Sequence, residues 1–427
     1  MMNVYDVIVI GAGVSGLAAA STLHKKNLNI LVLEARNRMG GRVYTDHSFG
    51  LPLDLGASWL HSLSINPMTS LVDQFNLQLK TFVGSLDSAD HYAFYDALGN
   101  PLKIEQIQAL QQFARHFLEK LPHLPANTNL QFELQSAYRQ SGLAHTLPGG
   151  DDWLAHLMTG WDGDDLNQVS IQAWQNVEEL NSEQGYVTNG YDHLLQYLAQ
   201  GLDICYEQIV SEIDYSDEII KVTTHKGLYF AKKLIVTVPV AVLQAKDIQF
   251  FPALPEKKQQ AIQSIGAGIL DKVALKFEQV FWDRQSHLIQ ILPKQAGDVC
   301  SYVNYVPLTG KPVLVSLCAG DKARNLEQLA DADILKQFLQ PLKIIYADQF
   351  VEPIDYVITR WWADPFSKLG YSYIPVGGCE ENFAVLAEPV GDQLYFAGEA
   401  TSVDMNATVH GAYVSGVDAA KACSIPS

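Results

Sequence analysis

Six residues near the start of the chain have types and spacing suited to one task, the binding of a dinucleotide. Gly11-Ala12-Gly13-Val14-Ser15-Gly16 follows the apolar run Val7-Ile8-Val9-Ile10 and opens an Ala/Leu-rich helical pattern that reaches about Lys26. Gly11 permits a tight turn, Gly13 lets the backbone approach a pyrophosphate, and Gly16 lets the helix pack closely on the strand. The amides of Val14, Ser15 and Gly16 have no partner within a helix start, so with the helix dipole they offer an anion site. A second apolar run, Asn29 to Leu33, closes on Glu34, whose carboxylate suits ribose hydroxyls. Glycine-rich turns occur in many parallel sheets; the strand before this one and the acid after it single out the dinucleotide reading.

The next residues, Ala35-Arg36-Asn37-Arg38-Met39-Gly40-Gly41-Arg42, add a second glycine pair flanked by arginines. More backbone amides and a guanidinium fork are thereby offered to phosphate. With the pattern EARxRxGGR at Glu34 to Arg42, the sequence resembles the flavin-containing amine oxidases. The resemblance implies FAD as cofactor, with Ala35, Arg36, Gly41 and Arg42 in its site. It also places Gly56-Ala57-Ser58-Trp59 against the flavin, and His61 where polyamine oxidases keep an imidazole on the substrate side.

Three later stretches extend the resemblance. In Gly268 to Phe277, followed by Val280-Phe281-Trp282-Asp283, Lys272 matches the lysine that reaches flavin N5 through a water molecule. In Thr359 to Phe366 and Gly370-Tyr371-Ser372-Tyr373, Trp361 falls at the flavin and Tyr371 is the aromatic that stands upright before its ring. In Leu394 to Ala400 and Asn406 to Ala412, Gly398-Glu399 meets the ribityl-phosphate region. There a helix beginning near Thr408-Val409 aims its amino end at flavin N1 and O2, where reduction leaves negative charge. Val210 is implied near the adenine by position alone. Monoamine oxidases carry a second tyrosine where this chain has Thr408, which makes a simple arylalkylamine a poor candidate substrate. Gly370 stands where a cysteine would attach the flavin, so the FAD is expected to be noncovalent.

Holding these groups requires an alternation of helices and strands. Beyond β1, α1 and β2 of the dinucleotide unit (residues 4–10, 14–26 and 29–33), the apolar spacing predicts a helix from Asn66-Pro67, one from Pro101 to Leu121 with Pro101 in its first turn, and one around Leu194 to Leu198. Strands are predicted at Ile204 to Val210, Ile219 to Thr224, Leu234 to Val238, Val273 to Phe277, Leu288 to Leu292, Val313 to Leu317, Val357 to Thr359 and Leu394 to Ala397. A helix is predicted near Ala332 to Ile345. The expected fold class is α/β: a Rossmann-like FAD-binding domain interleaved with an α+β substrate domain on a mixed sheet, the two-domain architecture of monoamine oxidases. The expected division gives the FAD-binding domain residues 1–80, 185–270 and 385–427, and the substrate domain residues 81–184 and 271–384. The acids Asp162, Asp164 and Asp165, with Glu178 and Glu179, are ordinary solvated groups taken singly; with a polyamine substrate, one or two of them pair with its distal ammonium groups.

Composition narrows the partners. A chain of 427 residues, 48% apolar, buries a large core and is long enough for two domains. A net charge of -18 fits neither nucleic-acid phosphates nor an anionic membrane; it either concentrates cationic ligands or simply maintains solubility. Five cysteines cannot all pair and none is spaced CxxC, which suits reduced thiols. No signal-peptide pattern precedes the first strand and no apolar run spans a bilayer, so a cytoplasmic location is expected.

The expected reaction is FAD-dependent oxidation of a C–N bond in an aliphatic amine, foremost a polyamine such as spermine or spermidine, with O2 reduced to hydrogen peroxide. A methylated histone lysine is the nearest rival substrate. An L-amino acid is another, with Arg115 or Arg139 as candidate partner of its carboxylate. A flavoprotein without turnover is the reading from a different class, against which Lys272 and Tyr371 both count.

Overall fold

The computed structural model describes residues 3–82, 91–125, 127–174 and 183–423; Glu178 and Glu179 lie outside them. The predicted dinucleotide unit is present as β1 (Val4–Ile10), α1 (Val14–His24) and β2 (Ile30–Leu33). Val7 to Ile10 and all of β2 are buried, as expected of parallel strands covered on both faces. β1 lies between β2 and the strand Gly227–Val236, parallel to both, within an eight-stranded sheet. That sheet also takes Leu394–Phe396, parallel to Gly227–Val236, so a late segment of the chain docks beside its first strand.

A six-stranded sheet stands apart from it, in the order Asp355–Ile358, Leu270–Lys276, Val313–Ala319, Ser301–Asn304, Leu288–Ile291, Tyr92–Tyr95. It is mixed: the last pair is parallel and the others antiparallel. Helices Ile104–Lys120, Leu130–Gln140 and Gly150–Asp162 share one apolar core, and Asp331–Tyr346 packs into the core that takes in residues of the Leu270–Lys276 strand. Two short antiparallel pairings lie outside these sheets: Gly266–Gly268 with Tyr371–Tyr373, and Trp59–Leu60 with Gln184–Val187.

Two predicted elements come out differently. Pro101 is not in a first helical turn; it bridges Tyr95, and the helix starts at Ile104 after the cap residue Lys103, which exchanges hydrogen bonds with Gln106. The run Ile204 to Val210 is two strands. Ile204–Cys205 pairs with β2 and Val210–Asp214 with Ile220–Thr224, because Glu207 takes a left-handed φ of 54° that no strand accommodates. The amides of Glu207 and Gln208 there bond the carbonyls of Arg36 and Glu34. No helix among the described residues is long and apolar enough to cross a membrane, and the five cysteines are unpaired.

Candidate active site

The glycine turn is built as its spacing requires. Gly11 has φ 104° and is overhung by Thr237, whose hydroxyl donates to the Ile10 carbonyl at 2.7 Å. A side chain on Gly16 would run into the Gly11 carbonyl, so α1 sits closer to the turn than any other residue allows. Glu34 is buried. It accepts the Ala12 amide at 2.7 Å on one oxygen and the Arg36 amide at 2.9 Å on the other, which fixes the carboxylate at the end of β2.

These groups line one cavity of about 1360 Å³. Around it are Gly11, Gly13, Val14, Ser15, Glu34, Ala35, Arg36, Gly41 and Arg42 from the first segment, and Gly56, Ala57, Ser58, Trp59 and His61 from the next. Val210, Lys272, Trp361, Tyr371, Gly398, Glu399, Thr408 and Val409 complete the set. Of the residues expected in the site, Gly16 alone lies behind the wall. A dinucleotide fits what is present. The Ser15 hydroxyl is buried against this cavity with no protein partner, at the mouth of a helix whose first amides are also free of side-chain caps. No cysteine is among the described lining residues.

The arginines act differently from a phosphate clamp. Arg36 closes its fork on Asp364, at 2.8 and 2.5 Å, and on Ser367 at 3.0 Å, which corrects the expectation that this fork faces phosphate. Arg38 lies over the Tyr44 ring. Arg42 donates to Glu399 at 2.7 Å and to the Gly370 carbonyl at 3.1 Å. Glu399 is buried, and its other oxygen accepts from the Ser372 hydroxyl at 2.5 Å and the Ala407 amide at 2.9 Å. One carboxylate thus ties the Arg42 loop, the Tyr371–Tyr373 strand and the turn before the helix Val409–Ala422. Thr408 caps that helix: its hydroxyl accepts the Gly411 amide at 2.9 Å and donates to the Met405 carbonyl at 2.7 Å.

Lys272 is 1% exposed. Its Nζ donates to the carbonyls of Asp54 at 2.8 Å and Gly56 at 2.6 Å and meets the Ser58 hydroxyl, with the Trp59 ring 5.2 Å away. Burial pushes the ammonium down to about 8, and the nearby Asp54 carboxylate opposes that shift. As a cation Lys272 spends all three protons on this wall. The Ser58 hydroxyl donates in turn to the Asp54 carbonyl at 3.0 Å, which closes the wall around the ammonium.

Tyr371 donates its hydroxyl to the Gly160 carbonyl and packs its ring over Gly163, which fixes the aromatic edge of the cavity. Trp361 donates its indole N–H to the Leu55 carbonyl at 3.3 Å, and its amide is held by Asp271 at 3.0 Å. Burial pushes the His61 imidazole below its ordinary range and that of His156 down to about 4. His156, Gln208 and Thr237 line the cavity without having been singled out in sequence. Thr237 sits at the end of a predicted strand, which was a usable signal; His156 lies on a helix face with none. Arg115 and Arg139 are exposed on surface helices and do not line the cavity. Of the three neighbouring acids, Asp164 is tied to Arg324 and Tyr373, Asp165 faces Asp321, and Asp162 lines the cavity.

Residues 14–424 match the family profile described as Flavin containing amine oxidoreductase. The chain is 37% identical to polyamine oxidase 4 of Oryza sativa subsp. japonica and 36% identical to polyamine oxidase 2 of Arabidopsis thaliana. Each match covers 98% of this chain and 88% of the relative. It is 34% identical to lysine-specific histone demethylase 2 of Homo sapiens over 96% of this chain but 52% of that longer protein.

Proposed function

The chain belongs to the flavin containing amine oxidoreductases, is an FAD-dependent amine oxidase with that family's mixed α/β fold, and on that premise we propose that its substrate is a polyamine such as spermine or spermidine. The observation that carries the choice is the charge state of the cavity wall. Arg36 is paired with Asp364, Arg42 with Glu399 and Lys368 with Asp247; Lys272 is turned to the carbonyls of Asp54 and Gly56, and burial holds His61 and His156 below their ordinary range. Among the described lining residues these are all the basic ones, so a polycation meets little repulsion and a substrate carboxylate meets no spare guanidinium. The overall charge of -18 draws such a cation in.

Held by the Gly11–Gly13 turn, Ser15, Glu34 and the Gly56 to Trp59 wall, FAD would supply a two-electron acceptor for the carbon beside a neutral amine nitrogen, with O2 as final oxidant and hydrogen peroxide as its product. The chain's own residues prepare that transfer. Tyr371, Trp361 and Trp59 form an aromatic slot that excludes water and disfavours a charged reacting nitrogen, whose ordinary pKa is about 10.4. Lys272 holds the Asp54 to Ser58 wall and moves a proton at Nζ. The imine then hydrolyses to an aldehyde and an amine. A cytoplasmic location belongs to the same proposal.

The test is anaerobic mixing of the yellow holoenzyme with spermine, spermidine, their N-acetyl forms, simple monoamines, L-amino acids and a methyl-lysine peptide. Rapid bleaching by the polyamines is expected. Bleaching by amino acids or the peptide and not by polyamines overturns the substrate assignment, and no bleaching by any of them returns the chain to a binding role.

A further inference from the structure

Asp162 is the last residue of the helix Gly150–Asp162 and lines the cavity beside Tyr371, whose hydroxyl bonds Gly160 of the same helix. Its Oδ2 is buried and has no hydrogen-bond partner. The indole N–H of Trp174 is its neighbour and draws the carboxyl down slightly, yet it too is left without a full hydrogen bond. No lysine or arginine among the described residues pairs with Asp162, and its neighbour Asp164 is already neutralised by Arg324 at 3.0 and 2.6 Å. A carboxyl in this position is costly to ionise, and burial pushes it up to about 7. The negative end of a 13-residue helix lies at the same place and favours a positive charge there. Tyr371, Trp161 and Trp174 line the same cavity, and aromatic rings tolerate such a charge.

We propose that Asp162 anchors an ammonium group of the substrate remote from the bond that breaks, so that the site selects amines carrying at least two cationic nitrogens. The proposal rests on the amine-oxidase reading above and adds the residue that reads the second charge. The arriving ammonium gives Oδ2 the donor it lacks, and the carboxylate it ionises gives the ammonium a counter-charge that water no longer supplies inside the slot.

Binding of octane-1,8-diamine and of octylamine to dithionite-reduced holoenzyme, in which neither is oxidised, tests this by calorimetry. Wild type is expected to prefer the diamine, and Asp162→Asn and Asp162→Ser to weaken it about 30-fold or more while octylamine changes less than about threefold. In turnover both variants are expected to raise KM for spermine with kcat at saturation nearly kept. Equal losses for diamine and monoamine overturn the anchor, and so does a fall in kcat with KM unchanged, which assigns Asp162 to the reacting nitrogen instead. A wild-type enzyme that bleaches with no polyamine defeats the substrate assignment of the previous section; the diamine preference, measured without turnover, is decided separately.

Discussion

Replacing Lys272 by methionine is expected to slow flavin reduction by amine, or reoxidation by O2, by about 100-fold. The size follows from where the nitrogen sits. Two carbonyls and a hydroxyl converge on Nζ in a spot that is 1% exposed, and the same segment, Gly56 to Trp59, is cavity wall. Methionine fills the volume but removes the donor; the Asp54 carbonyl keeps the Ser58 hydroxyl at 3.0 Å, while the Gly56 carbonyl loses its short hydrogen bond at a cost of about 1–3 kcal/mol. A lowered melting temperature is therefore expected beside the slower chemistry. The two effects separate in stopped-flow measurement on flavin-loaded enzyme: a variant that keeps its flavin spectrum but reduces and reoxidises at wild-type rates leaves Lys272 a structural cation only.

Gly16→Ala is expected to yield protein largely free of flavin. The added methyl meets the Gly11 carbonyl, a backbone atom held by β1 on one side and by the Thr237 overhang on the other. α1 must back away, and its first amides and Ser15 go with it. Overpacking of this kind costs about 1–3 kcal/mol, and because the strain falls on the binding geometry the affinity for FAD drops about 10- to 100-fold. Gly227→Ala, where a new Cβ meets nothing within 4 Å, is the control expected to bind normally. Titration of the stripped proteins with FAD, followed by flavin fluorescence, compares them; equal affinities would show that the close approach at Gly16 does not govern the cradle.

The cradle was legible in sequence because its parts are local. Gly11, Gly13, Gly16 and Glu34 act through a turn, a helix start and one neighbouring strand, all within β1, α1 and β2, so spacing alone carries the geometry. The far side of the cavity was legible only through resemblance. The links that build it, such as Arg42 and Ser372 to Glu399, or Lys272 to the Asp54 carbonyl, join residues distant in sequence and leave no periodic trace. Residues with several possible partners were the hardest to read. Arg36 looked like a phosphate fork, yet Asp364 offers the same planar match from within the protein. Asp162 had no feature to separate it from Asp164 and Asp165 until Arg324 was seen to occupy one of them. At the level of elements, the apolar runs located most strands, while Glu207 split one because a single left-handed residue does not alter hydrophobic pattern.

α1 and the helix Val409–Ala422 cross so closely that a side chain on Gly416 would strike the backbone of Ser15. Considered in the order of synthesis, this contact means that the pocket joins residues that leave the ribosome far apart in time. Domains generally fold from the amino-terminal side as they emerge, and here the glycine turn and its helix come out long before Gly398, Glu399, Thr408 and Val409, the wall that faces the flavin. A nascent chain arrested before Val409 displays a dinucleotide signature and has no closed pocket to go with it. Cofactor capture therefore waits for the helix Val409–Ala422, when α1 acquires the neighbour for which Gly416 leaves room.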